Sequence, residues 1–526
     1  MTGTWQLVRL ALRRDRWLLP LWVIGLALFV IGIGSSFKSL YADQASLESF
    51  AASMSNPSLS AFYGPIFAVN LGGITAWRSS LVLIISALAV GLTVIRHTRA
   101  EEEQGRRELL GSTVVGRQAG LTAATAIALG ASTVLGALVA LGLTAMGFGA
   151  AGSLALGLEY AVAGWLFTAV AAVAAQLTQS ARAARWITIL VLGVSFLLRV
   201  VGDAGGDQNS PLSWISPIGL LQRLRPYGDE RWWVLPIVVA LAVAIATAAY
   251  ALSARRDLDA GIIATRPGPA RAGRGLRSPL GLAWRLQCGN VLGWSVGFIV
   301  LGLVLGGAAD SAQSAVEENA QLADALRRIG GDLTISDLFI GALFAIMGII
   351  AAAQGVQLVL RARAEESAGR AEPVLAAAVG RNRWLGGHTL MAYAGPLVSM
   401  VAAGLFTGLA YGAATGDVGG QVPRILGAAL VQIPASWFTV SIAVALVGLL
   451  PRLSGLAWGF VVAFLLLGQL GAVLQLSQWA LDVSPFTHLP KLPGGDVTVT
   501  PLVWLLALAV ALTAAGMAGF RRRDIG

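Results

Sequence analysis

The chain has 526 residues, of which 56% are hydrophobic and only 12% are charged, and its mean hydropathy is +0.73. Because an average soluble domain carries roughly 25% charged residues, this composition excludes a soluble globular protein. The net charge of +10 comes from basic residues in short clusters between apolar runs. That pattern is typical of the loops of a membrane protein and does not predict a nucleic-acid partner.

Long apolar runs recur along the whole chain, and each is long enough for a helix of about 20 residues to cross a bilayer. They predict an all-α polytopic membrane protein with about twelve transmembrane helices. The predicted spans cover residues 17–36, 76–95, 119–145, 154–178, 184–202, 232–253, 290–308, 338–360, 385–411, 424–449, 454–476 and 500–520.

The segment before the first span is basic and amphipathic. Arg9, Arg13 and Arg16 fall on one helical stripe opposite Trp5 and Leu12. This spacing predicts a short helix in the headgroup layer of the membrane, and a solvated basic terminus is the alternative. The first span lacks a cleavage site, so we expect it to be retained.

The basic clusters fall on one side of the predicted topology. Residues 1–16, 96–117, 255–285, 361–383 and 521–523 carry most of the arginines. The positive-inside rule therefore predicts that both termini are cytoplasmic. A segment rich in Pro, Gly and Arg divides the chain into a first half (1–255), a cytoplasmic linker (256–280) and a second half (281–526).

The cysteine and histidine content predicts no metal centre. Cys288 is the single cysteine, and His97, His388 and His488 lie far apart in sequence. No cluster with metal-ligand spacing is present.

An internal repeat is the most informative feature. Residues 99–117, after span 2, and residues 363–381, after span 8, are identical at ten of nineteen positions with a constant offset of 264. Because an even number of spans separates the copies, the halves are predicted to be parallel six-helix repeats in a fused pseudo-dimer. Each loop is predicted to be a charged helix, over 97–117 and 361–381, that docks on another protein. A solvated helix stabilised by ion pairs is the alternative.

Ion pairs between residues four apart support the predicted loop helices. The pairs are Glu102 with Arg106, Glu103 with Arg107, and Glu366 with Arg370. In a helix each contributes about 0.2–0.5 kcal/mol.

The repeated loops resemble the coupling helix of bacterial type-2 ABC exporter permeases. The motif falls on Glu101, Glu103, Gly105, Glu108, Leu110 and Arg117, and again on Glu365, Gly369, Glu372, Leu375 and Arg381. The fused twelve-span arrangement looks most like the polyketide-antibiotic and tetronasin-type exporter permeases of actinobacteria, with a type V-like fold.

This resemblance implies a protein of the bacterial plasma membrane. It also implies that two copies of a separate ATP-binding subunit dock on the loops, and that ATP and Mg are bound within that subunit. The residues expected to couple to that subunit are Arg99, Glu101, Glu102, Glu103, Gly105, Arg106, Glu108, Arg117, Arg363, Glu365, Glu366, Gly369, Arg370, Glu372 and Arg381. The second loop departs from the first at Pro373, which disfavours a helical conformation at Glu372 and should end the second helix there.

The chain itself shows no phosphate-binding motif. A P-loop needs Gly-x-x-x-x-Gly-Lys-Ser/Thr, and the chain has only Lys38 and Lys491, neither in that context. We therefore expect a transport subunit that binds no cofactor and is not an enzyme.

Two other classes remain open. A proton-coupled carrier of the major facilitator type also has twelve spans and a Gly-Arg-Arg loop, which Gly105-Arg106-Arg107 resembles. It would need carboxylates within the spans, and Glu159 and Asp203 are predicted at span edges. An intramembrane enzyme would need acidic groups in a catalytic spacing, which the outer segments lack.

Polar residues inside the predicted spans are candidates for lining a substrate pathway, and interhelical hydrogen bonding is the alternative. The otherwise apolar spans favour a hydrophobic or amphiphilic cargo, moved outward by alternating access. The candidates are Gln354, Gln357, Gln432, Gln469 and Gln475.

Overall fold

The computed structural model describes residues 2–41, 43–54, 60, 62–111, 114–203, 210–257, 260–263, 270–271, 273–317, 334–470, 477–495 and 498–524. These residues are almost entirely helical and contain no strand. They divide into two compact units, Met1–Gly268 and Pro269–Gly526. The predicted all-α polytopic fold class is confirmed.

The described helices of the first unit are numbered here in chain order. They are α1 (Thr4–Arg14), α2 (Leu18–Leu40), α3 (Gln44–Met54), α4 (Leu71–Arg78), α5 (Ser80–His97), α6 (Arg99–Glu103), α7 (Arg106–Gly111), α8 (Ala119–Ala145), α9 (Ala150–Leu177), α10 (Ala181–Asp203), α11 (Pro211–Ile215), α12 (Pro217–Gln222) and α13 (Val234–Arg255).

The second unit continues this numbering. Its described helices are α14 (Pro279–Glu317), α15 (Ile335–Ser367), α16 (Glu372–Leu375), α17 (Arg381–Thr415), α18 (Val418–Leu430), α19 (Ile433–Leu449), α20 (Leu456–Leu470), α21 (Gln478–Leu481) and α22 (Val499–Arg522). Short 3-10 turns cover Arg274–Arg277, Pro451–Leu453 and Pro485–His488.

Eleven stretches of the described chain are long and apolar enough to cross a membrane, and each coincides with a predicted span. The remaining predicted span, 454–476, begins on α20, whose apolar part, Leu456–Gly468, is shorter than a bilayer crossing requires. Residues 471–476 of this span lie outside the described residues.

Close helix packing in each unit depends on small residues. In the first unit α9 is the most buried span, and α8 crosses it where Gly136 faces Gly157. A Cβ atom added to Gly136 would lie 2.2 Å from the Gly157 carbonyl oxygen. In the second unit α19 and α22 approach in the same way at Gly448 and Gly516. Such contacts let backbones pack tightly where lipid provides no hydrophobic driving force.

The two repeated loops are not continuous helices, so that prediction is wrong. A glycine with left-handed backbone interrupts each loop, Gly105 at φ +67° and Gly369 at φ +69°. The first loop contains the short helices α6 and α7. In the second, α15 ends at Ser367 and α16 begins at Glu372, so Pro373 starts a helix instead of ending one. Proline suits the first turn of a helix because its missing N–H is not needed there.

We predict that Gly369→Ala lowers the free energy of unfolding by about 1 kcal/mol, because an L-residue pays a steric cost in the left-handed region. A Cβ atom at Gly369 meets nothing within 4 Å, so the cost is conformational alone. The matched control is Gly289→Ala. Gly289 lies within α14, and a Cβ atom added there also meets nothing within 4 Å, so this substitution should be neutral or stabilising. Thermal unfolding of the purified protein in detergent measures both, and equal effects would contradict this explanation.

Candidate functional site at the repeated loops

A buried carboxylate organises the first loop. The side chain of Glu102 is 2% exposed. It accepts hydrogen bonds from Arg99 Nη1 at 2.6 Å and from Arg256 Nη2 at 2.8 and 3.1 Å, and it also pairs with Arg107. Three guanidinium groups therefore surround one carboxylate, which compensates for the cost of burying its charge.

Arg256 joins this carboxylate to the last span of the first unit. It directly follows α13, and its Nε donates to Gln176 Oε1 at 2.6 Å. Its own carbonyl oxygen accepts a hydrogen bond from Arg117 Nη2 at 2.6 Å. The loop after the second span is therefore bonded from both of its ends to the chain that leaves the sixth span.

The second unit has the same arrangement. Glu366, whose side chain is also 2% exposed, accepts from Arg523 Nη1 at 2.6 Å and Nη2 at 2.7 Å, and it pairs with Arg363 at 3.2 Å. Arg381 Nη1 donates to the Arg523 carbonyl oxygen at 2.6 Å. We call these groups the arginine clamps: Arg99, Glu102, Arg117 and Arg256 in the first unit, and Arg363, Glu366, Arg381 and Arg523 in the second.

Sequence reasoning missed Arg256 and Arg523. A signal was available, because Arg255-Arg256-Asp257 and Arg522-Arg523-Asp524 follow the last span of each half. The two tripeptides are 267 positions apart, whereas the loop repeat has an offset of 264. A search at one constant offset therefore does not pair them.

The predicted ion pairs between residues four apart do not form. The left-handed glycine turns the chain, so pairs form five residues apart: Glu102 with Arg107, and Glu365 with Arg370, the latter at 2.7 Å. The carboxylate of Glu365 raises the pKa of Arg370. Glu103 has a different partner, since its Oε1 accepts the backbone N–H of Ala181 at 2.7 Å at the start of α10.

The predicted coupling residues fall into three groups by exposure. Half-buried positions include Glu101, which pairs with Arg14 and with Arg106. The buried residues are Arg99, Glu102, Glu365 and Glu366; the half-buried residues are Glu101, Gly105, Arg363 and Arg381; the exposed residues are Glu103, Arg106, Glu108, Arg117, Gly369, Arg370 and Glu372.

The pathway candidates have different surroundings. Gln354 is buried, and neither its Oε1 nor its Nε2 has a hydrogen-bond partner within the described chain. Gln357 accepts from Asn290 Nδ2 at 3.1 Å and from Trp294 Nε1 at 3.0 Å.

The remaining candidates are less well defined. Gln432 is buried and is the N-cap residue that immediately precedes α19. The side chain of Gln469 and all of Gln475 lie outside the described residues. A role of these glutamines in transport stays a prediction.

Glu159 is not at the edge of a span as predicted. It lies in the third turn of α9, which starts at Ala150, and its side chain is buried. Asp203 ends α10, as expected from its predicted position. It accepts from Ser213 Oγ at 2.6 Å and pairs with Arg223 at 3.3 Å. Across the described residues, His, Cys, Asp and Glu form no group of three or more that could hold a metal ion.

The helices and the repeated loops are those of a multi-pass membrane protein with two related halves. The family model described as "Multidrug efflux system permease Rv1217c, C-terminal domain" matches residues 6–256 and 276–521. The multidrug efflux system permease protein Rv1217c of Mycobacterium tuberculosis is 46% identical over 526 residues, covering 100% of this chain and 95% of the relative. The chain therefore belongs to the family of multidrug efflux system permeases. The narrower resemblance to tetronasin-type exporters stays a prediction.

We predict that Glu366→Gln lowers the free energy of unfolding by about 3 kcal/mol, because it leaves the guanidinium groups of Arg363 and Arg523 without their carboxylate. The control is Glu372→Gln in the same loop, an exposed residue for which we expect a change within about 0.5 kcal/mol. Thermal unfolding in detergent measures both variants. An equal, small effect of the two substitutions would show that the second clamp contributes little to stability.

Proposed function

We propose that this chain is the membrane permease of an ATP-driven exporter and moves hydrophobic or amphiphilic compounds outward across the plasma membrane. Two copies of a separate ATP-binding subunit would dock on the repeated loops and would bind the ATP and Mg. The permease name of the M. tuberculosis relative supports export of drug-like compounds. The basic clusters support cytoplasmic termini and loops.

The observation that carries the proposal is that each repeated loop has an exposed side and a clamped side. Glu108 in the first loop, and Arg370 and Glu372 in the second, are exposed and available to a partner. The clamps on the other side join each loop to the end of the last span in its unit.

This arrangement supports a mechanism of coupling. A force applied by a partner to the exposed side would move the loop and the last span together, because a buried bidentate pair resists separation. The same displacement in both units would support alternating access to a central pathway.

The test uses exposed residues and avoids the clamp glutamates, whose substitution would disturb folding. We predict that Glu108→Arg/Glu372→Arg reduces co-purification of a co-expressed ATP-binding subunit at least tenfold. Each reversal removes the contact between the glutamate and the subunit, and it places a charge of the same sign opposite the group that the glutamate contacted. The control is Glu48→Arg, an exposed glutamate of α3 outside the loops, which should leave co-purification unchanged. Retention of the subunit by the double variant would contradict docking at these positions.

The buried Glu159 supports a second candidate function, a proton-coupled drug carrier. An ionisable group inside a span is costly and is usually functional. Glu159 lies beside a small cavity of about 30 Å³, which Ser80 and Gln222 also line. That volume is sufficient for a water molecule, through which a proton could reach the carboxylate.

If the chain is a proton-coupled carrier, Glu159→Gln should abolish drug transport driven by a pH gradient in proteoliposomes without ATP, because the amide cannot exchange a proton. Under the ATP-driven proposal, wild-type protein shows no pH-driven transport, and Glu159→Gln keeps at least half of the ATP-driven rate with the partner present. The control Gln222→Glu changes another residue that lines the same cavity. ATP-independent transport by wild type would replace the first proposal with the second.

A further inference from the structure

A cavity of about 630 Å³ lies between α1, the first repeated loop and the start of α8. Its walls are unusual because they are both basic and apolar. The charged lining residues are Arg14, Arg106, Arg107, Arg117 and Glu101. The apolar lining residues are Leu7, Leu10, Ala11, Val115, Ala123 and Ala124.

The charges of this cavity are unbalanced. Four arginines line it against a single glutamate, Glu101, which is shared between Arg14 and Arg106. Glu102 behind the wall is shared between Arg107 and two arginines of the clamp, so it does not neutralise the surplus. Burial lowers the pKa of Arg14, and the nearby Arg106 and Arg96 lower it further. The cavity is therefore electrostatically complementary to an anion.

The apolar surroundings favour an amphiphile over a free ion. Leu10 lines the cavity and is 53% exposed; Trp5 on the same helix is 64% exposed, and Trp17 in the turn before α2 is 78% exposed. Exposed tryptophans of this kind are typical of the membrane interface. A second, largely apolar cavity of about 810 Å³ lies beside α1 against α2 and α8, lined by Val8 and Leu12 among others.

Helix α1 is also attached to α5 and to the loop that forms the opposite wall. Asp15, just after α1, forms an ion pair with Arg96 at 2.7 Å and lies 2.8 Å from His97 Nε2, both at the end of α5. At the other end of α1, the Gly116 N–H donates to the Thr2 carbonyl oxygen at 3.0 Å. The cavity is therefore built into the unit and does not depend on a loosely attached terminus.

We propose that this cavity binds an anionic phospholipid, with the phosphate held by Arg106 and its neighbouring arginines and the acyl chains along Leu7 and Leu10. The charge surplus selects the anionic headgroup, and the exposed apolar face of α1 gives the chains a path to the bilayer. The site belongs to the first unit because one of its walls is α1, a separate helix before the first span. In the second unit the first span is part of one continuous helix, α14, which runs from Pro279 to Glu317.

Native mass spectrometry of the full chain, stripped of lipid in a neutral detergent, tests this site. The probes are dioleoylphosphatidylglycerol, dioleoylphosphatidylcholine with the same chains, and inorganic phosphate. We expect the first phosphatidylglycerol molecule to bind with an affinity at least tenfold higher than that of the first phosphatidylcholine molecule. Arg106→Glu should weaken that binding about 30-fold, since two units of charge change at the headgroup. Arg106→Lys should retain most of it.

The matched control is Arg185→Glu. Arg185 is an exposed arginine of α10, the helix whose first turn bonds to Glu103 of the same loop. It should bind phosphatidylglycerol like wild type. Equal affinity for the two lipids, or equal loss in both charge-reversal variants, would overturn the proposal. Displacement of phosphatidylglycerol by millimolar inorganic phosphate would also overturn it, because the site would then recognise a free anion.

Discussion

The structure of each unit depends on how a carboxylate is buried among the polar ends of apolar helices. Glu102 and Glu366 are almost completely removed from water, where an unpaired charge would cost several kcal/mol. Each is compensated by arginines from two separate parts of the chain: its own loop and the residue after the last span. Compensating the charge therefore fixes the position of the loop relative to the sixth helix.

The left-handed glycines make this arrangement possible. A continuous helix would point Glu102 and Arg106 along one solvated face, as the four-residue spacing predicts. The left-handed turn at Gly105 or Gly369 instead interrupts the helix, and Glu102 and Glu366, three residues before it, are buried. Both glycines are open to solvent space on their Cβ side, so backbone conformation, and not packing, explains why glycine occupies both positions.

The sequence was sufficient for the helical fold but not for the geometry of the site. Apolar runs located eleven of the spans because hydropathy and length directly determine which segments cross a bilayer. The repeat correctly directed attention to the loops, yet it could not distinguish an inward residue such as Glu366 from an outward one such as Glu372. That difference arises from tertiary pairing with Arg523, which lies 157 residues away in the chain. Local spacing contains no information about such a partner.

Identity between two copies of a repeat therefore has two physical causes in this protein. Arg99 and Arg363 match because each pairs with the glutamate three residues later, and Arg117 and Arg381 match because each bonds the carbonyl oxygen of a distant arginine. Glu108 and Glu372 match as well, but both are exposed and neither belongs to a clamp. The clamps account for the first two pairs, and in the third each glutamate lies in the first turn of a short helix, where the helix dipole stabilises a carboxylate. Because both side chains are exposed and outside the clamps, they can be replaced without leaving a buried charge unpaired, so they are the informative positions for studying docking.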